Sequence, residues 1–130
     1  MDIKSFKEKG VPGPANYFTG TVHVKTLITP EEDINAIMAI VSFDAKARTN
    51  WHTHTSGQIL VVVEGKGYYQ EEGKPKVVIN EGDVVKIPKD VKHWHGASHE
   101  SAMRHVAMVP DRDEDKTEWL VSVTDAEYNS

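Results

Sequence analysis

Seven histidines occur in the 130 residues, and four of them form two His-x-His pairs, His52/His54 and His93/His95. Side chains alternate across an extended strand, so each pair projects to one face, its members roughly 6–7 Å apart at the backbone. Gln58 has the parity of His54 and joins that face if Thr55-Ser56-Gly57 keeps the register. Neutral imidazole offers a σ lone pair and an amide oxygen a harder one, a donor set that suits a divalent transition metal. One His-x-His pair alone is compatible with a wet strand face. Two pairs and a spaced amide point to a metal site, provided the sheet closes so that the pairs converge.

His105 lies in MRHVAMV, with Met103, Ala107 and Val109 on its face. That face aims it at the same cavity, where an imidazole can act as general acid or base. The plainer alternative is a hydrogen-bonded core histidine. His95 shares the parity of His93 and is either a donor behind the ligands or a pocket residue. His23 and His99 read as surface positions. Trp51 and Trp94 alternate with the histidines and face away, as packing or subunit contacts. Tyr68 and Tyr69 read as ordinary strand aromatics.

The elements that must position these groups are short β segments punctuated by turns. Residues 1–16, with Gly10, Pro12, Gly13 and Pro14, form an irregular arm. Strands are expected at 17–28, 35–43, 58–65, 76–80, 84–88, 93–97 and 103–109, and the glycines of EGKG suggest a tight hairpin from 58–65 into KGYYQE. Strands at this spacing without helices between them indicate an antiparallel sandwich or barrel, all-β, in one domain spanning 1–130. Thr124 and Glu127 have capping-box spacing, so a helical stub starts there. Residues 35–43 are apolar on both faces, so that strand needs cover on both sides: another subunit, or a second sheet of the same chain.

Composition excludes several classes. The net charge is −5 and the basic residues are scattered, which does not make a nucleic-acid surface. Cysteine is absent, so there is no disulfide, zinc–thiolate site or thiol nucleophile. No apolar run is long enough to span a membrane. The charged start MDIKSFKEKG has no secretory h-region, and a cytoplasmic location is the expectation. The acidic runs EED (31–33) and DRDED (111–115) read as solvated loops; the second lacks the glycine and final glutamate of an EF-hand.

WHTHTSGQILVVVEGKG resembles the first motif of the cupin family: glycine, five residues, His-x-His, three or four residues, glutamate, six residues, glycine. His52, His54 and Gly65 match, Gln58 takes the glutamate place, and Lys46 stands where the motif opens with glycine. GDVVKIPKDVKHWHGA resembles the second motif through Gly82, Pro88 and His93, with Asp90 in place of the turn glycine and Ala97 in place of the terminal asparagine. GPANYFTGTV, ARTNWHTH, KHWHGA and VTDAEY extend the likeness over nearly the whole chain, to the small bacterial cupins that include manganese-dependent hydroxynitrile lyases.

This resemblance implies a cupin barrel with a C-terminal helical stub and a divalent transition metal, manganese first and iron, zinc, nickel or cobalt as options. The implied metal ligands are His52, His54, Gln58 and His93. It implies His105 as the acid/base, and a pocket with Ala39, Val41, His95 and Val109, for a small-molecule substrate. A homo-oligomer, a dimer or a dimer of dimers, is also expected. Gln58 carries no charge, so three imidazoles and an amide leave the ion's two positive charges uncompensated. Such a site favours an anionic ligand such as cyanide, an alkoxide or a carboxylate. The rival functions are an Fe(II) dioxygenase and a binding module without turnover.

Overall fold

The computed structural model describes every residue except 2 and 113. Its strands are β1 (Val11–Pro12), β2 (Phe18–Thr19), β3 (Val22–Ile28), β4 (Ala36–Phe43), β5 (Arg48–Thr49), β6 (His52–His54), β7 (Gln58–Glu71), β8 (Val77–Asn80), β9 (Val84–Ile87), β10 (His93–Ala97), β11 (Met103–Pro110) and β12 (Thr117–Trp119), followed by a short helix, α1 (Asp125–Asn129). All pairings are antiparallel. One side of the barrel is β1-β3-β4-β11-β7-β9, and the other is β8-β7-β10-β5-β2, with β6 between β10 and β12.

β7 belongs to both sides and joins them. Its first half pairs with β9 and β11, its second half with β8 and β10. The hairpin expected at EGKG is therefore absent: the chain runs straight through as a 14-residue strand. What the glycines do instead is bend it. The register with β11 slips between Arg104 and His105, which leaves Val63 as the extra residue of a bulge. Gly65 follows with φ 81°, and a side chain there would run into the Ala102 carbonyl. Tight turns also use glycine at positive φ, so local chemistry alone does not separate a turn from this bend in a continuous strand. The 17–28 segment likewise divides, into β2 and β3, at Gly20 with φ 85°.

Val41, Phe43, Leu60, Val62, Ile79, Ile87 and Met103 fill the space between the two sides. A second cluster, Trp51, Tyr68, Trp94, Val123 and Tyr128, lies outside it. There α1 closes over β10: Tyr128 Oη donates to the Ala97 carbonyl at 2.6 Å, and buried Arg48 donates to the Val123 carbonyl and to Asp125. The helix begins as expected, with Thr124 and Glu127 in a reciprocal capping box. Trp51 and Trp94 face this outer cluster, away from the histidines.

The cover over β4 comes partly from the chain itself. Ile37, Ala39 and Val41 face the interior, while Ile40 on the opposite face is fully buried. The N-terminal arm lies on that outer side: Lys25 donates to the Ser5 carbonyl, and Arg104 donates to the Phe6 carbonyl and sits over the Phe6 ring. Val84 (66% exposed), farther along the same face, stays open. Glu31, Glu32 and Asp33 are exposed as expected, and so are Asp111, Arg112 and Glu114, whereas the Asp115 side chain is largely covered, paired with Arg112 and Ser56; residue 113 lies outside the described residues.

Two motif departures have a visible conformational cost. The only positive-φ residues other than glycine, among those described, are Lys46 at 70° and Asp90 at 64°. Both stand where the cupin motifs carry glycine. The left-handed conformation costs an L-residue roughly 1–2 kcal/mol, partly offset in glycine by about 0.5–1 kcal/mol of extra unfolded-state entropy. Lys46 is exposed, so its side chain offers little packing to lose. Lys46→Gly is expected to stabilise the protein by about 0.5–1 kcal/mol, read as a higher urea midpoint. A lower midpoint would contradict the strain argument.

Candidate metal centre

β6 and β10 lie side by side with His52 opposite His93, so the two His-x-His pairs meet across one ladder. The His52 ring centroid is 4.2 Å from that of His93, 5.0 Å from His54 and 5.3 Å from His95, and His54 is 5.5 Å from His93. All four rings are buried. One ring nitrogen each from His52, His93 and His95 fall within 4.8 Å of one another, a group that contains His95 and not the expected ligand His54. Gln58, at the start of β7, joins His52, His54, His95 and His105 in lining an interior cavity of about 210 Å³. Ala39, Val41 and Val109 form apolar wall there, with Phe18 and Trp119. His93 stands behind this lining, against His52.

The hydrogen bonds set the tautomers. His52 Nδ1 lies 2.9 Å from the Asn50 carbonyl, and His93 Nδ1 lies 2.9 Å from the Val91 carbonyl. A carbonyl only accepts, so each Nδ1 carries the proton and each Nε2 keeps its lone pair. His54 Nδ1 is held at 2.9 Å by Thr117 Oγ1. Among the described residues, buried polar atoms without a partner include His54 Nε2, Gln58 Oε1, His93 Nε2, His95 Nε2 and His105 Nδ1. Buried polar atoms are normally paired. Neighbouring acceptor atoms left unpaired, Gln58 Oε1 and His93 Nε2 among them, fit a bound cation, and the absence of any thiolate or carboxylate there leaves that cation's charge unneutralised.

The comparisons with known proteins decide the family. The Cupin domain family matches residues 39–109, more than half of the chain. The chain is a cupin. It is 42% identical over 129 residues, 98% of both chains, to the (R)-mandelonitrile lyase of Granulicella tundricola. In structure it is similar to a cupin-like protein from Thermotoga maritima, with TM-score 0.91, 44% identity, and coverage of 97% of this chain and 96% of the other. A cupin 2 conserved barrel domain protein from Rhodopseudomonas palustris shares the fold at TM-score 0.69 and 17% identity, over 82% and 74% of the two chains.

Sharing His95 with this histidine cluster, a hydrogen-bonded pair of imidazoles is buried against it. His105 Nε2 and His95 Nδ1 are 3.0 Å apart, in a hydrogen bond that joins the two sides of the barrel. Both rings are fully enclosed, and Phe43 packs edge-on to His95 and tilted against His105. His95, left open as donor or pocket residue from sequence, is in the cavity lining and is also the partner of His105.

Burial drives every one of these histidines toward the neutral form. It lowers His52 and His95 well below the usual 6.5, and lowers His93 as well. His54 is pushed down to about 4 by burial and by His93, with Gln58 pulling the other way. His105 falls to about 4 by burial. Neutral rings are what a metal needs. They also make the metal-free protein acid-sensitive. The unfolded chain binds protons from the usual 6.5 downward, whereas the folded rings resist until about 4. Stability is therefore full above ~6.5 and lost as pH falls through that window, at ~1.4 kcal/mol per pH unit for each such ring. Denaturant unfolding of chelator-treated protein is expected to show this fall; a flat profile between pH ~7 and ~5 would contradict it.

Sequence reading missed three supporting features. Trp119 stacks on His52 (centroids 4.5 Å, 29°) and lines the cavity, and Tyr17 stacks on Trp119 in turn. Thr117 holds His54. Both come from β12, three residues in a charged stretch with no alternation to mark them. His99 is also not simply a surface residue: it is half-buried, bonded to Tyr68 Oη and Asn129 Oδ1, because α1 packs over it. His23 is half-buried too, with Nδ1 enclosed and unpartnered, because the β1 strand pairs alongside β3 at that residue.

Proposed function

We propose that this cupin binds one divalent metal ion through His52, His54, Gln58 and His93 and cleaves or forms cyanohydrins, in the manner of a hydroxynitrile lyase. The observation that carries the reading is the set of converging, unpartnered lone-pair atoms beside a buried pair of hydrogen-bonded imidazoles. The relative's name, (R)-mandelonitrile lyase, supports the substrate class. Manganese is the ion of choice on the family resemblance, and a wholly neutral donor set suits a Lewis acid better than a centre that must reach the trivalent state. When bound, the ion would polarise the substrate oxygen or hold cyanide.

In the cleavage direction the cyanohydrin O–H loses its proton, the carbonyl forms, and cyanide departs with the electrons of the C–C bond. The chain must take up that proton and return it to cyanide. His105 and His95 suit this: with one proton shared across their 3.0 Å contact, the outer nitrogen of one ring, His105 Nδ1 or His95 Nε2, keeps a lone pair while that of the other carries N–H, and neither has a partner. A proton accepted at the lone pair of the first ring shifts the shared proton to the second, whose outer N–H can then be given up to cyanide, without either ring moving. Ala39, Val41 and Val109 give the substrate an apolar wall and exclude water. The direct test is release of benzaldehyde from mandelonitrile by manganese-loaded protein. Turnover above the uncatalysed rate, faster for the R enantiomer, is expected; tight manganese binding without product would leave a binding module.

A further inference from the structure

β12 meets β6 in a register that sets its alternate residues against the two histidines of the first pair: Thr117 faces His54 and Trp119 faces His52. We infer that β12 is the outer support of the metal site and that Thr117 is a positioning residue which fixes the ligating tautomer of His54. This rests on the metal reading above. His52 and His93 each find their Nδ1 partner two residues back in their own strand, at Asn50 and Val91. Those carbonyls come with the backbone, and no substitution of a side chain removes them. His54 differs. Its Nδ1 partner is a side-chain hydroxyl 63 residues away in sequence. Of the three histidines, it alone depends on another residue's side chain for the choice of protonated nitrogen.

The contact allows either direction, since a hydroxyl both donates and accepts; in the inferred arrangement it accepts from His54 Nδ1–H and, Thr117 being exposed, its own proton goes to solvent. That arrangement leaves His54 Nε2, which is buried and unpartnered, as the nitrogen with the lone pair. Without the hydroxyl, the proton is free to move to Nε2 and cap the lone pair. Groups that orient a ligating histidine in this way typically contribute 10–100-fold to metal affinity. Trp119 holds the neighbouring ring by contact, so the short strand touches both members of the pair through different chemistry.

The test compares Thr117→Val, which keeps the β-branched shape, with Thr117→Ser, which keeps the hydroxyl. Thr117 is exposed, and both variants retain its backbone pairing. Manganese(II) affinity, measured by competition with a chelating dye, is expected to fall ~10–100-fold in Thr117→Val and to return to near wild type in Thr117→Ser. Imidazole ¹⁵N spectra of metal-free protein, taken above the histidine titration range, should place the His54 proton on Nδ1 in wild type and shift it toward Nε2 in Thr117→Val. Equal manganese affinity in all three proteins, or a wild-type His54 already protonated at Nε2, would overturn the inference. If wild type binds no manganese, the metal reading itself fails, and the tautomer spectra still decide whether Thr117 sets His54.

Discussion

His93→Ala should remove most of the bound metal and, with it, cyanohydrin cleavage, while the barrel stays folded. His93 is fully buried, opposite His52 across the β6–β10 ladder, with Nδ1 tied to Val91 and Nε2 without a partner. Alanine deletes the donor and replaces it with nothing that can coordinate. The ring's volume is lost from the core as well, at a cost of about 2–4 kcal/mol. That is inside the 5–15 kcal/mol typical of a domain, and the main apolar core does not include His93. His52→Ala is expected to behave alike. Elemental analysis of the folded variants measures the effect, and wild-type metal content in both would sink the assignment.

The second large effect is expected at His105. If it carries the proton, His105→Ala should keep its metal and lose cyanohydrin cleavage by ~10²–10⁴-fold, the usual contribution of a general acid–base group. The motive is geometric: a fully buried imidazole in the cavity lining, 3.0 Å from His95, with Nδ1 still free. The plainer alternative is a core histidine that satisfies His95. Its loss would then cost ~1–3 kcal/mol for an unpaired buried group and leave turnover per folded molecule near wild type. Thermal unfolding and activity, measured on the same metal-loaded sample, separate the two. An active, metal-loaded and merely less stable variant would remove His105 from the mechanism and pass the proton step to His95.

Much of this was legible in the residues. The strand at 93–97 and the capping box at Thr124 follow from patterns that depend only on near neighbours, alternation in one case and a three-residue hydrogen-bond reach in the other. The two His-x-His pairs could be placed on strand faces for the same reason. That they meet depends on how β6 and β10 pair, which the cupin motifs implied and parity alone did not. The bulge at Val63 with left-handed Gly65 just after it reads locally as a turn, because tight turns also use glycine in that conformation; only the pairing with β11 distinguishes them. The His95–His105 contact joins strands on opposite sides of the barrel, so no spacing in the chain announces it. β12 was invisible because Thr117-Glu118-Trp119 is held by its pairing with β6 rather than by any apolar pattern of its own.

A single divalent ion, held by neutral side chains, is expected to be required for cyanohydrin chemistry. The most direct test is to strip the protein with chelator and return manganese in steps while following benzaldehyde release from mandelonitrile. Activity is expected to vanish on stripping and to return linearly, saturating at one ion per chain. Full activity in demonstrably metal-free protein, or saturation with manganese and no product, would contradict the account.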